Sequence, residues 1–265
     1  MKSTFYYALI LLFSTLIISC GQVDTLESIK VPIEPSEEII QQLKGQDFSV
    51  VLNDMNISEK DNKRLFEHKY HILKVVKDSL VVDSLSWKPV NQAFFEKHQG
   101  DLGMEIVSNH NGKLSKVARP IGFEWAIGNP KYGEWEEVSK TQDSTSTAST
   151  TTNTNNRSER RWRSHTPSFI FWYWMMRRPT YQRDYAGYRT ASAAGRSYYG
   201  SQTNGTSKYG TNSTYQKAKR PSFFNRRRSS NSWKSYTTSS KKTSRSSSRY
   251  KSSSSTRSRS GGSGK

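Results

Sequence analysis

The sequence predicts an α+β fold: a small, mainly antiparallel β domain with one or two short helices, followed by a long, largely disordered tail. Three observations carry this reading. Between Asp47 and Ala118 the apolar residues fall mostly in short β-type runs separated by turn residues. Two stretches, Ser36–Lys44 and Asn91–His98, carry helix signals instead. At Ser139 the composition changes abruptly to Ser, Thr and Asn, with almost nothing apolar to bury.

In chain order, Ser36 stands as an N-cap, Glu37 and Glu38 suit the positive end of a helix dipole, and Gly45 ends the helix. Ile39, Ile40 and Leu43 share its buried face. Asp47–Ile57 reads as a strand with Val50 and Leu52 on one side. Leu65–Val90 holds further β runs, Tyr70 to Val76 and Leu80 to Trp87, around a hairpin turn at Lys77-Asp78-Ser79. Asn91–His98 is a short helix carrying Phe94 and Phe95, stopped by Gly100. Asn109-His110-Asn111-Gly112 joins Met104–Val107 to Lys113–Ala118. Asn-Gly favours a type I′ turn, which needs positive φ at both central residues. Pro120–Trp135, with four Gly or Pro breaks among Phe123, Trp125, Tyr132 and Trp135, closes the domain.

The expected organisation is a signal segment at 1–19, a tether at 20–35 and the folded domain at 36–138. A disordered linker at 139–156 follows, then an aromatic, Tyr/Gly-rich basic segment at 157–221 and a disordered Ser/Arg/Lys-rich end at 222–265. Charge follows the same division. Up to Asp143 there are 16 Lys and Arg against 20 Asp and Glu, a net −4; beyond it, 25 Lys and Arg face only Glu159 and Asp184. Such asymmetry points to a segment that meets polyanions or an anionic membrane surface.

The first twenty residues place the chain. Lys2 supplies a positive start, and the apolar run Phe5–Ile18 is shorter than the ~20 residues a membrane-spanning helix needs. It matches the apolar region of a secretory signal. The run closes on Leu16-Ile17-Ile18-Ser19-Cys20, which resembles the lipobox of bacterial lipoproteins, with Ile17 where leucine is commoner. The resemblance implies cleavage before Cys20, a diacylglycerol on its thiol and usually a further acyl chain. Two or three chains hold a protein firmly, where one holds it marginally. An ordinary signal with an incidental cysteine, or an uncleaved signal anchor, is the other reading. Cys20 is the chain's single cysteine, so a mature lipoprotein has no disulfide and no thiol nucleophile. Gly21 is not an acidic retention residue, which favours the outer membrane. Asp24 and Glu27 make a poor surface-export cluster and leave the side open. Pro120–Trp135 with the basic aromatic chain after it is similar to uncharacterised bacterial envelope proteins, a likeness that implies no activity.

Catalysis and metal binding have little to stand on. His68 and His71 lie three apart on an expected strand, hence on opposite faces, and EHKYH lacks the HExxH spacing. No GxSxG elbow is present. The terminal GGSGK lacks the first glycine of a phosphate-binding loop and any helix after it. The reading is therefore non-enzymatic, with no cofactor. Arg160, Arg161, Trp162, Arg163, Trp172, Trp174, Arg177, Arg178, Arg226, Arg227 and Arg228 are the candidate contacts for polyanions or membrane, since cations pair with phosphates and aromatic faces stack. The implied partners are the membrane, through Cys20, and envelope polyanions: lipopolysaccharide, DNA or acidic polysaccharide. Phe169–Met176 reads equally as a core strand or as an interface anchor. The alternative function is structural, a Tyr/Gly/Arg-rich tail that self-associates or docks on an envelope complex. Within that tail SYYGSQTN at Ser197 and SKYGTNST at Ser207 form a ten-residue echo.

Overall fold

The computed structural model describes residues 26–76, 79–138, 159–165 and 179–238. Its centre is an antiparallel hairpin of two long strands, β1 (Phe48–Lys60) and β2 (Lys63–Val76). Lys60 faces Lys63 across a two-residue turn, Asp61-Asn62, in which both residues have positive φ. Such a turn matches the right-handed twist of the strands. This turn, more than the expected one near residue 77, sets the register of the whole sheet.

Alternation puts Phe48, Val50 and Leu52 on one face of β1. The pairing then slips between Leu52 and Asp54, and Asn53 becomes the extra residue of a bulge. That single insertion reverses the parity, so Met55 and Ile57 return to the same side. All five are at most 2% exposed, whereas an unbulged strand would turn the last two outward.

β3 (Ser79–Ser84) and β4 (Lys88–Val90) share the outer edge of β2, and β5 (Glu105–His110) and β6 (Lys113–Ser115) extend the other side in the order β3-β2-β1-β5-β6. Val76 opposes Ser79 where a hairpin was expected; residues 77–78 themselves lie outside the described residues. The β5–β6 turn is Asn111-Gly112, with φ of 53° and 73°, as the Asn-Gly signal requires. Helix α1 (Pro35–Gln42) starts with Pro35 in its first turn and Glu34 as N-cap, while Ser36 is buried. The expected cap is thus displaced by proline, whose fixed φ and missing N–H suit that position. Helix α2 (Gln92–His98) carries Phe95 into the core.

The α+β, mainly antiparallel class therefore holds, but ordered structure runs beyond the expected domain at 36–138. β7 (Gly133–Glu137) pairs with β8 (Arg160–Ser164), Trp135 opposite Trp162. Helix α3 (Gln182–Ala193), a short hairpin of β9 (Gln202–Thr203) and β10 (Thr206–Ser207), and helices α4 (Thr214–Lys219) and α5 (Pro221–Ser229) follow. Residues 231–238 are also helical. Phe223, Trp233 and Tyr236 fill the main core beside Phe66 and Phe95; Trp233 lies 5.6 Å from Phe95 and 5.9 Å from Phe223 between ring centres. A Ser/Arg/Lys-rich composition concealed them, because a few aromatics at helical spacing bury much area while the segment as a whole stays polar. The linker 139–156, the Phe169–Met176 run and residues 239–265 lie outside the described residues.

The ten-residue echo has a plain geometric meaning. Its two Tyr-Gly pairs flank the β9–β10 hairpin, which closes at Asn204-Gly205, and Tyr209 N–H donates to Tyr199 C=O at 2.9 Å. Gly210 has φ +78° and lies so close to the Gly100 carbonyl that a Cβ would sit 2.4 Å from it. Glycine is required there on both counts.

The other face of the sheet is covered differently. Val51 and Leu73 pack against Ile121, Trp125 and Ala126 of the turn-rich segment after β6. Phe123 and Ile127 then join Trp162 of β8 and Tyr188 of α3 in a third cluster. The expected tether also docks: Arg64 exchanges backbone hydrogen bonds with Glu27 and Ile29, and Asn91 bonds both the N–H and the C=O of Val31. One amide side chain supplies both a donor and an acceptor, which an extended segment needs.

Candidate functional site

The candidate contact residues divide into three groups. Cys20, Trp172, Trp174, Arg177 and Arg178 lie outside the described residues. On β8, Arg160, Arg161 and Arg163 stand beside carboxylates: Arg160–Glu137 at 3.3 Å, Arg161–Glu136 at 3.8 Å and Arg163–Glu136 at 3.3 Å. These are exposed pairs, worth at most about 1 kcal/mol each, but they offset the positive charge expected there. Trp162 is buried edge-on to Trp135 at 5.0 Å, so its ring serves the core.

On α5 the three arginines differ. Arg226 pairs with Asp54 at 2.6 Å and lies 5.5 Å over Trp87. Arg227 lies over Trp233 at 5.8 Å, and Arg228 donates to Asn225 Oδ1 at 2.8 Å; no carboxylate among the described residues neutralises either. Arg220, between α4 and α5, is used structurally. It donates to the backbone and side-chain oxygens of the bulged Asn53 at 2.6 and 2.8 Å. Lys217, Arg228 and Lys234 face solvent. From 179 to 238 there are eleven Lys and Arg and one acidic residue, Asp184, which is itself buried and held by Lys208.

Two buried polar groups lie deeper. His98 and Asp101 are bonded at 2.8 Å, and Tyr199 donates to the other Asp101 oxygen at 2.7 Å. His68 and Tyr70 are bonded at 3.0 Å, and burial, with His98 nearby, pushes His68 down to about 3. His68 is buried and His71 lies on the opposite face of β2, as their spacing implies. Among the described residues no group of three or more potential metal ligands converges.

The second group sits where the sheet meets α3. Glu105 is fully buried and its pKa is raised by that burial, against the opposing charge of Arg119, whose Nε lies 3.8 Å from it. Arg119 also bonds Ser115, Glu124 and the Tyr188 hydroxyl. Glu124 accepts from Arg119 and Tyr188 on one oxygen and from Lys113 at 2.8 Å on the other. Burial would raise Glu124, but the Lys113 and Tyr188 hydrogen bonds and the Arg119 charge hold it below its ordinary value. Burial and the bond to Glu124 push Tyr188 up to about 12. Beside this network opens a cleft of about 350 Å³ lined by Lys113, half-buried Tyr185 and exposed Arg189, with the buried rings of Phe123 and Tyr188 behind it.

Sequence reasoning missed Arg119, Glu105 and Glu124. They are scattered single charges, and only their burial distinguishes them from ordinary surface residues. No family model matches the chain, and neither a curated protein nor a solved structure is similar to it.

Proposed function

We propose that the protein is a non-enzymatic, lipid-anchored protein of the cell envelope whose basic C-terminal face contacts polyanions or the anionic membrane surface. The observation that carries the reading is the segregation of charge on a folded scaffold. Eleven cations against one buried carboxylate cover residues 179–238, and eight more with no acidic residue follow to Lys265. The aromatics of this region are largely spent in the core, so the contact is electrostatic and works through Lys217, Arg227, Arg228 and Lys234. A lipid on Cys20 gives the geometry a purpose. Glu27, where the chain is already bonded to Arg64, comes seven positions after Cys20, a reach of at most about 25 Å. The anchor therefore keeps the basic face near headgroups and their phosphates. The alternative, a self-associating tail, has fewer rings to draw on, because Tyr188, Trp233 and Tyr236 are buried.

Two measurements test this. Fatty-acid labelling in cells should be abolished by Cys20→Ala; labelling that persists removes the anchor. For the contact face, binding of a long polyanion such as heparin is followed against salt. The combined variant Arg227→Ala/Arg228→Ala/Lys234→Ala should flatten the log–log salt slope by about 3, roughly one for each cation removed from the anionic chain. An unchanged slope would remove α5 from the reading.

A further inference from the structure

We infer that Arg227, Arg228 and Lys234 form a docking surface for the anionic headgroups of the leaflet that holds this chain's own Cys20 lipid. The inference rests on the lipid-anchored reading above and narrows its partner to one, a phospholipid surface met on the protein's own side.

The junction that carries it is Arg64, near the tip of the β1–β2 hairpin and 4% exposed. Its backbone holds the tether: the N–H donates to Glu27 C=O at 2.8 Å, and the C=O accepts from Ile29 N–H at 2.9 Å. Its side chain holds the helix at 231–238: Nη2 donates to Ser235 Oγ at 3.1 Å, and the guanidinium lies 5.8 Å from the centre of the Tyr236 ring. One buried residue thus places the lipid-bearing end of the chain beside a basic helix.

Lys234 precedes Ser235 on that helix and is exposed, Arg228 is exposed, and Arg227 covers the Trp233 ring at 5.8 Å. No carboxylate among the described residues neutralises any of the three. The hairpin tip itself is balanced: Lys60 and Lys63 stand among Glu59, Asp61 and Glu27, with Lys63 paired to Glu27 at 3.2 Å. After 238 the sequence continues with eight cations and no acidic residue to Lys265, which adds positive charge from the same point.

Reach decides which part of the molecule meets the leaflet. Cys20 lies within about 25 Å of Glu27. The thirteen residues of β1 carry the sheet about 40 Å from the tip to its other end, at ~3.3 Å each. The leaflet therefore passes near Ser235 and Lys234, while the Asn111-Gly112 turn at the far end can stay clear of it. A short tether holds the surface against headgroups at an effective concentration of order millimolar. Each cation then favours the anionic surface by roughly fivefold, so three suffice to orient the molecule. A free polyanion lacks that advantage.

The test places the full-length lipidated protein in preformed vesicles of phosphatidylcholine, alone or with about one third phosphatidylglycerol. A fluorophore reports quenching by a spin-labelled headgroup. It is attached at Ser229→Cys, exposed beside Arg228, or at Gln46→Cys, exposed just before β1 at the far end; Cys20, being acylated, takes none. Quenching at Ser229→Cys should rise roughly threefold or more in anionic vesicles over neutral ones, and high salt should abolish the rise. Arg227→Ala/Arg228→Ala/Lys234→Ala should abolish it too, with a thermal midpoint equal to wild type as the check on folding. Gln46→Cys should not respond to the lipid. Equal quenching in the two vesicles, or an equal rise at Gln46→Cys, would overturn the docking. So would an equal rise when the protein sits in neutral vesicles and separate anionic ones carry the quencher. In those cases a heparin salt slope that still depends on the three cations leaves the broader reading standing. Loss of that dependence, with fatty-acid labelling that survives Cys20→Ala, removes the broader reading as well.

Discussion

The central sheet and the C-terminal wrap are built by opposite means. In the sheet, β1 buries Phe48, Val50, Leu52, Met55 and Ile57 by alternation on either side of the Asn53 bulge, and two-residue turns at Asp61-Asn62 and Asn111-Gly112 fix the registers. In the wrap, residues 159–165 and 179–238, isolated aromatics in a polar, basic chain do the burying: Trp162, Tyr188, Phe223, Trp233 and Tyr236. A sheet needs periodicity because every residue's side is set by its neighbours. A wrap needs only a large ring where a helix touches the core. Polar surroundings then keep the rest soluble.

If the wrap is integral, its largest ring should matter to the whole molecule. Trp233→Ala should cost about 3–5 kcal/mol and shift one cooperative urea transition. A separate early transition, with the sheet unfolding as in wild type, would break the comparison by making the wrap a loosely attached layer.

The joint between the two regions comes next. Arg119 belongs to the sheet side yet bonds Tyr188 of α3. Arg119→Met leaves Glu105 buried without its counter-charge, which should destabilise by about 3 kcal/mol or more. Arg119→Met/Glu105→Leu should recover most of that loss in the same denaturation assay. Equal stability of single and double variants would mean that the pair itself is not what holds this joint.

The sheet side carries a pH signature on the acid side. His68 has an ordinary pKa of 6.5 and is held down to about 3 by burial. The folded state therefore binds this proton less readily than the unfolded one. Stability is fully present above about 6.5 and is lost as pH falls from there toward 3. Between pH 7 and 5 the loss from this residue amounts to at most about 2 kcal/mol. His68→Phe should flatten that slope, and an unchanged slope would assign the acid sensitivity elsewhere, first to His110, also lowered by burial.

Legibility followed the same divide. Helices near residues 36–44 and 91–98 and the Asn-Gly hairpin could be read directly, because each carries a local signal: an acidic first turn, a glycine stop or a positive-φ pair. The bulge at Asn53 left no such mark. Nor did Asp61-Asn62, which sits in a polar stretch that reads as loop. The basic candidates were legible as residues but not as contacts. Arg160, Arg161 and Arg163 are distinguished from Arg227 and Arg228 only by the strand β7 that brings Glu136 and Glu137 beside them.

By itself the sequence determined the α+β class, the charge asymmetry and the apolar run that precedes Cys20, since these reside in composition and short-range pattern. Only the tertiary structure decided that residues 179–238 belong to the fold, that Trp162 and Trp233 are core, and that Arg119, Glu124 and Tyr188 meet beside a cleft. Those outcomes depend on which distant residues share a desolvated volume, and desolvation is a property of the packed chain, not of any segment of it.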